Sequence, residues 1–105
     1  MLKSSKNTLY RRGAFNMKKI IYGKNKNIIS TNLKIYRMKK NLSQSQLAAK
    51  MQTMNVNMDQ QMISKIENNA RFVTDYELAC FCLILEIDLK DMLGHFTTNL
   101  KHKYK

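Results

Sequence analysis

The chain predicts an all-α fold of five short helices, on three observations. Apolar residues recur at three- and four-residue spacing from about residue 28 to residue 93. Side chains suited to capping stand before four of these runs, and no segment alternates as a half-buried strand would. With 105 residues and 44% hydrophobic content, the chain can bury one modest core and has little left for a second domain.

The first helix opens near Ile28, with Ile29, Leu33 and the pair Tyr36/Arg37 stacked on one side and Ile35 and Met38 flanking it. Lys39 and Lys40 put cations in the last turn, and Asn41, a residue that tolerates the left-handed conformation, follows as the stop. Leu42 packs inward. Ser43 and Gln46 form a capping box that starts a second helix running through Lys50 or slightly beyond, with Leu47, Ala48 and Met51 facing the core. Asp59 caps a third helix, in which Ile63 and Ile66 share the inner face. Thr74 and Glu77 box the start of a fourth, expected to bury Leu78, Phe81, Cys82 and Leu85. Asp88 caps a fifth, expected to bury Leu89, Met92 and Leu93 before Gly94 ends it.

Charge divides the chain unevenly. Of the 19 Lys and Arg, 13 lie in residues 1–58, which hold none of the 7 acids, so the whole net charge of +12 belongs to the first half. Such an excess attracts polyanions, whether duplex DNA, RNA or an acidic membrane surface. Residues 1–26 show no apolar period and read as a basic arm, flexible without a partner, which could lie in or beside a DNA minor groove. Met17 is a second candidate start. Residues 27–94 form the folded domain, and 95–105 a basic tail.

No run of 18 apolar residues exists, so the sequence predicts a cytoplasmic chain without a membrane partner. Cys80 and Cys82, one residue apart in an apolar stretch, read as reduced core thiols. With His95 and His102 they superficially approach a zinc-finger pattern. Thiols two positions apart on a helix, however, point about 200° apart, and the histidine gap is too long. No metal or other cofactor is called for. There is no Gly-rich phosphate loop, nucleophile elbow or metalloprotease helix, and Glu77, Asp88 and Asp91 have structural roles, so no catalytic residue is assigned. Met51, Met54, Met58 and Met62 suit core or turn packing better than an adaptable partner-binding patch.

The outer surface of the third helix is the informative one. Gln60, Gln61, Ser64, Lys65 and Asn68 surround its two inward aliphatics, an amide-rich face that solubility explains poorly and base reading explains well. A glutamine can set one donor and one acceptor against adenine in the major groove.

Arg37, Leu42-Ser43-Gln44, Leu47-Ala48, Ile63-Ser64-Lys65-Ile66-Glu67-Asn68 and Leu85-Glu86-Ile87-Asp88-Leu89 with Met92-Leu93 together resemble the Cro and phage-repressor type of helix-turn-helix regulator, also called Xre-like. The resemblance covers about residues 33–93. It implies a compact, lambda-repressor-like five-helix bundle that binds double-stranded DNA as a homodimer on a palindromic operator, in a bacterial or phage nucleoid setting. By the same resemblance Arg37 pairs with Glu67 beneath the surface, and Gln60 and Gln61 stand where lambdoid repressors carry two base-reading glutamines. One of them could instead bond Gln44 and only position the other. Gln44, Asn68 and Arg71 take the places of phosphate contacts, and Ser64 and Lys65 could reach a base or a phosphate. The chain departs from the family at residues 52–57, a longer stretch than the usual glycine turn, where Asn55 or Asn57 would adopt the left-handed conformation with Val56 or Met58 beneath. Asn69 likewise replaces a frequent glycine. A competing expectation is an antitoxin or anti-repressor whose main surface binds a partner protein.

Overall fold

A computed structural model describes residues 23–96 and 98–100. Five helices follow in order: α1 Ser30–Lys39, α2 Gln44–Thr53, α3 Gln60–Glu67, α4 Asp75–Leu85 and α5 Leu89–Leu93. Helical residues continue at Phe96 and 98–100, and there is no β-strand among the described residues. The described residues therefore form an all-α bundle, as the spacing predicts.

The core is assembled from one stripe of each helix. Ile29, Leu33 and Arg37 fall four residues apart and are buried along α1. Leu47, Ala48 and Met51 answer from α2, Ile63 and Ile66 from α3, Phe81 and Leu85 from α4, and Met92 from α5. Each fully buried aliphatic or aromatic side chain here contributes roughly 1.5–3 kcal/mol. Val56 and Met58 join the same core from the α2–α3 connection, so the long stretch is packed down instead of looping outward. α2 absorbs residues 52 and 53 of that stretch, and the Gln52 side-chain amide donates to the Met58 carbonyl at 2.7 Å, closing the rest.

Helix starts follow local chemistry. Ser43 Oγ accepts from the Gln46 amide while Gln46 Oε1 accepts from the Ser43 amide. Thr74 and Glu77 reciprocate in the same way, and Asp59 Oδ1 accepts from the Met62 amide. Asp88 precedes α5 without a side-chain cap bond.

Helix ends share one device. Asn41, Asn55, Asn69 and Glu86 have φ of 58°, 63°, 58° and 57°. After each, the next residue's amide reaches back five positions, as Leu42 to Arg37, Val56 to Met51, Ala70 to Lys65 and Ile87 to Cys82. These are Schellman stops, satisfying carbonyls that the helix leaves free. Gly94 ends α5 at φ +63°, where a Cβ would meet the Asn32 amide nitrogen at 2.7 Å.

Three expectations are corrected. Leu89, expected inside, is 50% exposed, because it is the first residue of a five-residue helix whose inward position goes to Met92. Leu78, Cys82 and Leu93 are half-buried against the core instead of within it. Residues 25 and 26, assigned to a flexible arm, are bonded to the domain through Asn69. The rest of the arm up to residue 22, and His102 with the last lysines of the tail, lie outside the described residues.

Candidate nucleic-acid interface

α3 presents its outer face because Ile63 and Ile66, both fully buried, fix its rotation. Gln60, Gln61, Lys65 and Asn68 are consequently exposed, and Ser64 is half-exposed. The side chains of Gln61, Ser64, Lys65 and Asn68 form no hydrogen bond to the described residues, which leaves them available to an incoming partner.

Beneath this face runs a directed chain of hydrogen bonds. Arg37, on α1, donates to Glu67 from Nε at 2.6 Å and from the second guanidinium nitrogen at 3.0 Å, and its remaining nitrogen donates to the Leu42 carbonyl at 2.8 Å. Their side chains are only 10% and 3% exposed, so this is a buried ion pair between the first helix and the end of the third. Glu67 Oε1 also accepts from Gln44 Nε2 at 3.0 Å, and Gln44 Oε1 accepts from Gln60 Nε2 at 2.6 Å.

The chemistry fixes the sense of every link. A guanidinium only donates and a carboxylate only accepts, so Gln44 must turn its NH2 to Glu67 and its oxygen outward. Gln60 must then turn its NH2 to Gln44. One N–H and the carbonyl oxygen of Gln60 stay free, which is the donor and acceptor set that an adenine edge requires. The bond to Gln44 thus orients Gln60 without using up its reading capacity. Gln44, half-buried and engaged on both sides, is a link in this chain as well as a residue at the start of α2.

Arg71 is engaged differently from what its sequence position suggests. It grips Glu77 through two bonds, of 3.0 and 3.1 Å, and donates to the Phe72 carbonyl. Burial pushes the Glu77 carboxyl up, but the hydrogen bonds from Arg71 and from the Thr74 backbone, with the Arg71 charge, outweigh it and hold its pKa below the usual value. Arg71 therefore already faces a counter-charge, with its side chain 25% exposed.

Sequence reasoning missed a second polar cluster at the end of α3. The Asn69 side-chain oxygen accepts from the amides of Lys26 and Asn27, and its nitrogen donates to Asn25 Oδ1. Asn27 Nδ2 donates to the carbonyls of Ile66 and Arg71. Only the replacement of a family glycine by Asn69 hinted at it.

Cys80 and Cys82 are free and half-buried, and burial, then the negative charge of Asp88, raises the Cys82 thiol pKa, making it a poor thiolate. No group of three or more His, Cys, Asp or Glu able to hold a metal occurs among the described residues, where no helix is long and apolar enough to cross a membrane.

Residues 33–75, which run from α1 through the buried ion pair and α3 to the start of α4, match the helix-turn-helix family model. No curated protein and no solved structure matches the chain significantly. With α2 supporting and α3 exposed on the ion pair that the resemblance anticipates, residues 33–75 form a helix-turn-helix segment similar to that of DNA-binding regulators of the Cro and phage-repressor type.

Proposed function

We propose that the protein is a sequence-specific transcriptional repressor that lays α3 in the major groove of operator DNA, with Gln60 and Gln61 reading bases. The observation that carries this reading is the exposed amide face of α3 above a fully buried aliphatic base, with one of its glutamines oriented from the core. Ser64 and Lys65 extend the same face toward bases or the adjacent phosphates. Gln44, at the start of α2, and Asn68, just past the end of α3, suit phosphates that set register without carrying sequence. Arg71 is the weaker phosphate candidate because Glu77 already holds its charge.

The repressor acts as a homodimer, since one eight-residue helix spans too few base pairs and two-fold partners on half-sites double the readout. An open, mostly apolar groove along α4 and the start of α5, lined by Leu78, Cys82, Leu83, Ile87 and Leu89 with Asp75 also in its wall, favours association with a protein surface. The same groove supports the second reading, an antitoxin or anti-repressor that uses it to bind a different protein.

Selection of binding sites from random duplex DNA tests the proposal. A defined motif, bound at least about a thousandfold more tightly than random duplex at physiological salt, is the expected result. Recovery of no motif, with binding that only weakens steeply as salt rises, would overturn it.

A further inference from the structure

We propose that residues 23–27 form a phosphate strap: a basic segment clipped to the far end of α3 so that Lys24 and Lys26 lie along the DNA backbone flanking the groove. The inference rests on the reading of α3 as the groove-entering helix and adds a second contact element to it.

The clip consists of five hydrogen bonds. Asn69 Oδ1 accepts from the backbone amides of Lys26 at 2.9 Å and Asn27 at 3.1 Å, and Asn69 Nδ2 donates to Asn25 Oδ1 at 2.9 Å. Asn27 Nδ2 donates to the carbonyls of Ile66 and Arg71, each at 3.0 Å. These two carbonyls belong to the last turn of α3 and the chain just past it, so the strap is bonded to the reading helix itself. Asn69 can do this because its left-handed backbone, at φ 58°, ends the helix and turns its side chain toward the incoming segment. A glycine at that position would stop the helix equally well and hold nothing.

Placement follows from length. The eight residues of α3 cover about 12 Å, close to the width of the major groove, so a helix whose first residues meet base edges has its last turn at the phosphate wall. Lys24 and Lys26 are both exposed, Lys26 with its backbone amide bonded to Asn69 and Lys24 next to Asn25, whose side chain Asn69 holds. The neighbouring acids oppose this weakly. Glu77 is consumed by Arg71, and Asp75, which lines the same hollow as Lys26, sits at the positive end of α4.

The test measures affinity against salt concentration on two duplexes of equal length, one carrying the selected motif and one with its sequence scrambled. Lys24→Ala/Lys26→Ala should weaken binding to both by roughly 10- to 100-fold. It should make the slope of log affinity against log salt shallower by about 1 to 2, with the ratio between duplexes unchanged. Asn69→Gly, which keeps both lysines and the helix stop, should give a shallower slope in the same direction. Should that variant lose helical circular dichroism at the assay temperature, Asn25→Ala, on an exposed residue, takes its place. An unchanged slope in the lysine variant would overturn the strap. A shallower slope there but a wild-type slope in the clip variant would overturn the tethering, since the lysines would then act as untethered charge. If the wild-type protein selects no motif, the base-reading proposal fails, while the strap is still judged by the slopes on the scrambled duplex.

Discussion

Two arginine–glutamate pairs hold this small domain, and they differ in nearly everything except chemistry. Arg37 and Glu67 are 30 residues apart, join α1 to α3, and bury both charges. Arg71 and Glu77 are 6 residues apart and close the loop before α4, with the glutamate also completing a capping box. The long-range pair is the more costly to bury and leads outward, through Gln44, to a residue on the reading face. The short-range pair is locally determined, partly wet, and ends in the backbone of Thr74. An ion pair that spans the core can therefore set the orientation of a surface group, whereas one formed within a loop sets only the loop.

The strongest way to break this comparison is to remove one acid from each pair. Glu67→Ala leaves the Arg37 charge uncompensated in the interior and should lower stability by about 3 to 5 kcal/mol in denaturant unfolding. Glu77→Ala should cost less, about 1 to 3 kcal/mol, from the lost cap and the freed arginine. Equal losses would show that burial does not separate the two pairs. Acid sharpens the point. Because the Glu77 pKa is lowered in the folded protein, its contribution is present above the ordinary glutamate value of 4.5 and fades as pH falls through the lower folded value. Wild type and Glu77→Gln should thus converge in stability below pH 4.5, as acid titrations followed by circular dichroism would reveal.

Binding measurements probe the outward end of the long-range pair. Gln61→Ala should cost about 1 to 3 kcal/mol of discrimination at one base pair, read from competition between single-base variants of the selected site. Gln44→Ala, which releases Gln60 without removing it, should relax preference at a neighbouring position by less. If it instead weakens all sequences alike, Gln44 serves the phosphates and not the orientation of Gln60. The smallest effect is expected at Glu86, whose left-handed backbone is unfavourable for a residue with a β-carbon and whose bond to Lys40 is exposed. Glu86→Gly should raise the melting temperature by a few degrees.

The features legible in the sequence were those decided within a few residues. Ser43 with Gln46, Thr74 with Glu77, and Asp59 stand as caps where their spacing put them, and Asn41 takes the left-handed stop for the same local reason. The α2–α3 connection resolved a choice left open between two asparagines, with Asn55 turning and Val56 and Met58 both buried. Distance in sequence is where legibility failed. Asn27 and Asn69, 42 residues apart, leave no periodic trace because polar side chains bonding backbone groups follow no helical repeat. Leu89 looked like core because its type is apolar, but a helix of five residues has only one fully inward position, which Met92 takes. On the reading face, exposure could be anticipated from composition. The sense in which Gln60 turns could not, since it depends on Gln44 and Arg37, on two other helices, and on Glu67 at the opposite end of its own.

The directed bonds from Arg37 to Gln60 set thermal robustness against fidelity. Replacing a buried ion pair with matched apolar side chains often strengthens a small protein, and such a change under α3 would spare every group proposed to touch DNA. It would also let the Gln60 amide spin, so that, under the proposed reading, a sturdier variant of this chain would tell one base from another less well.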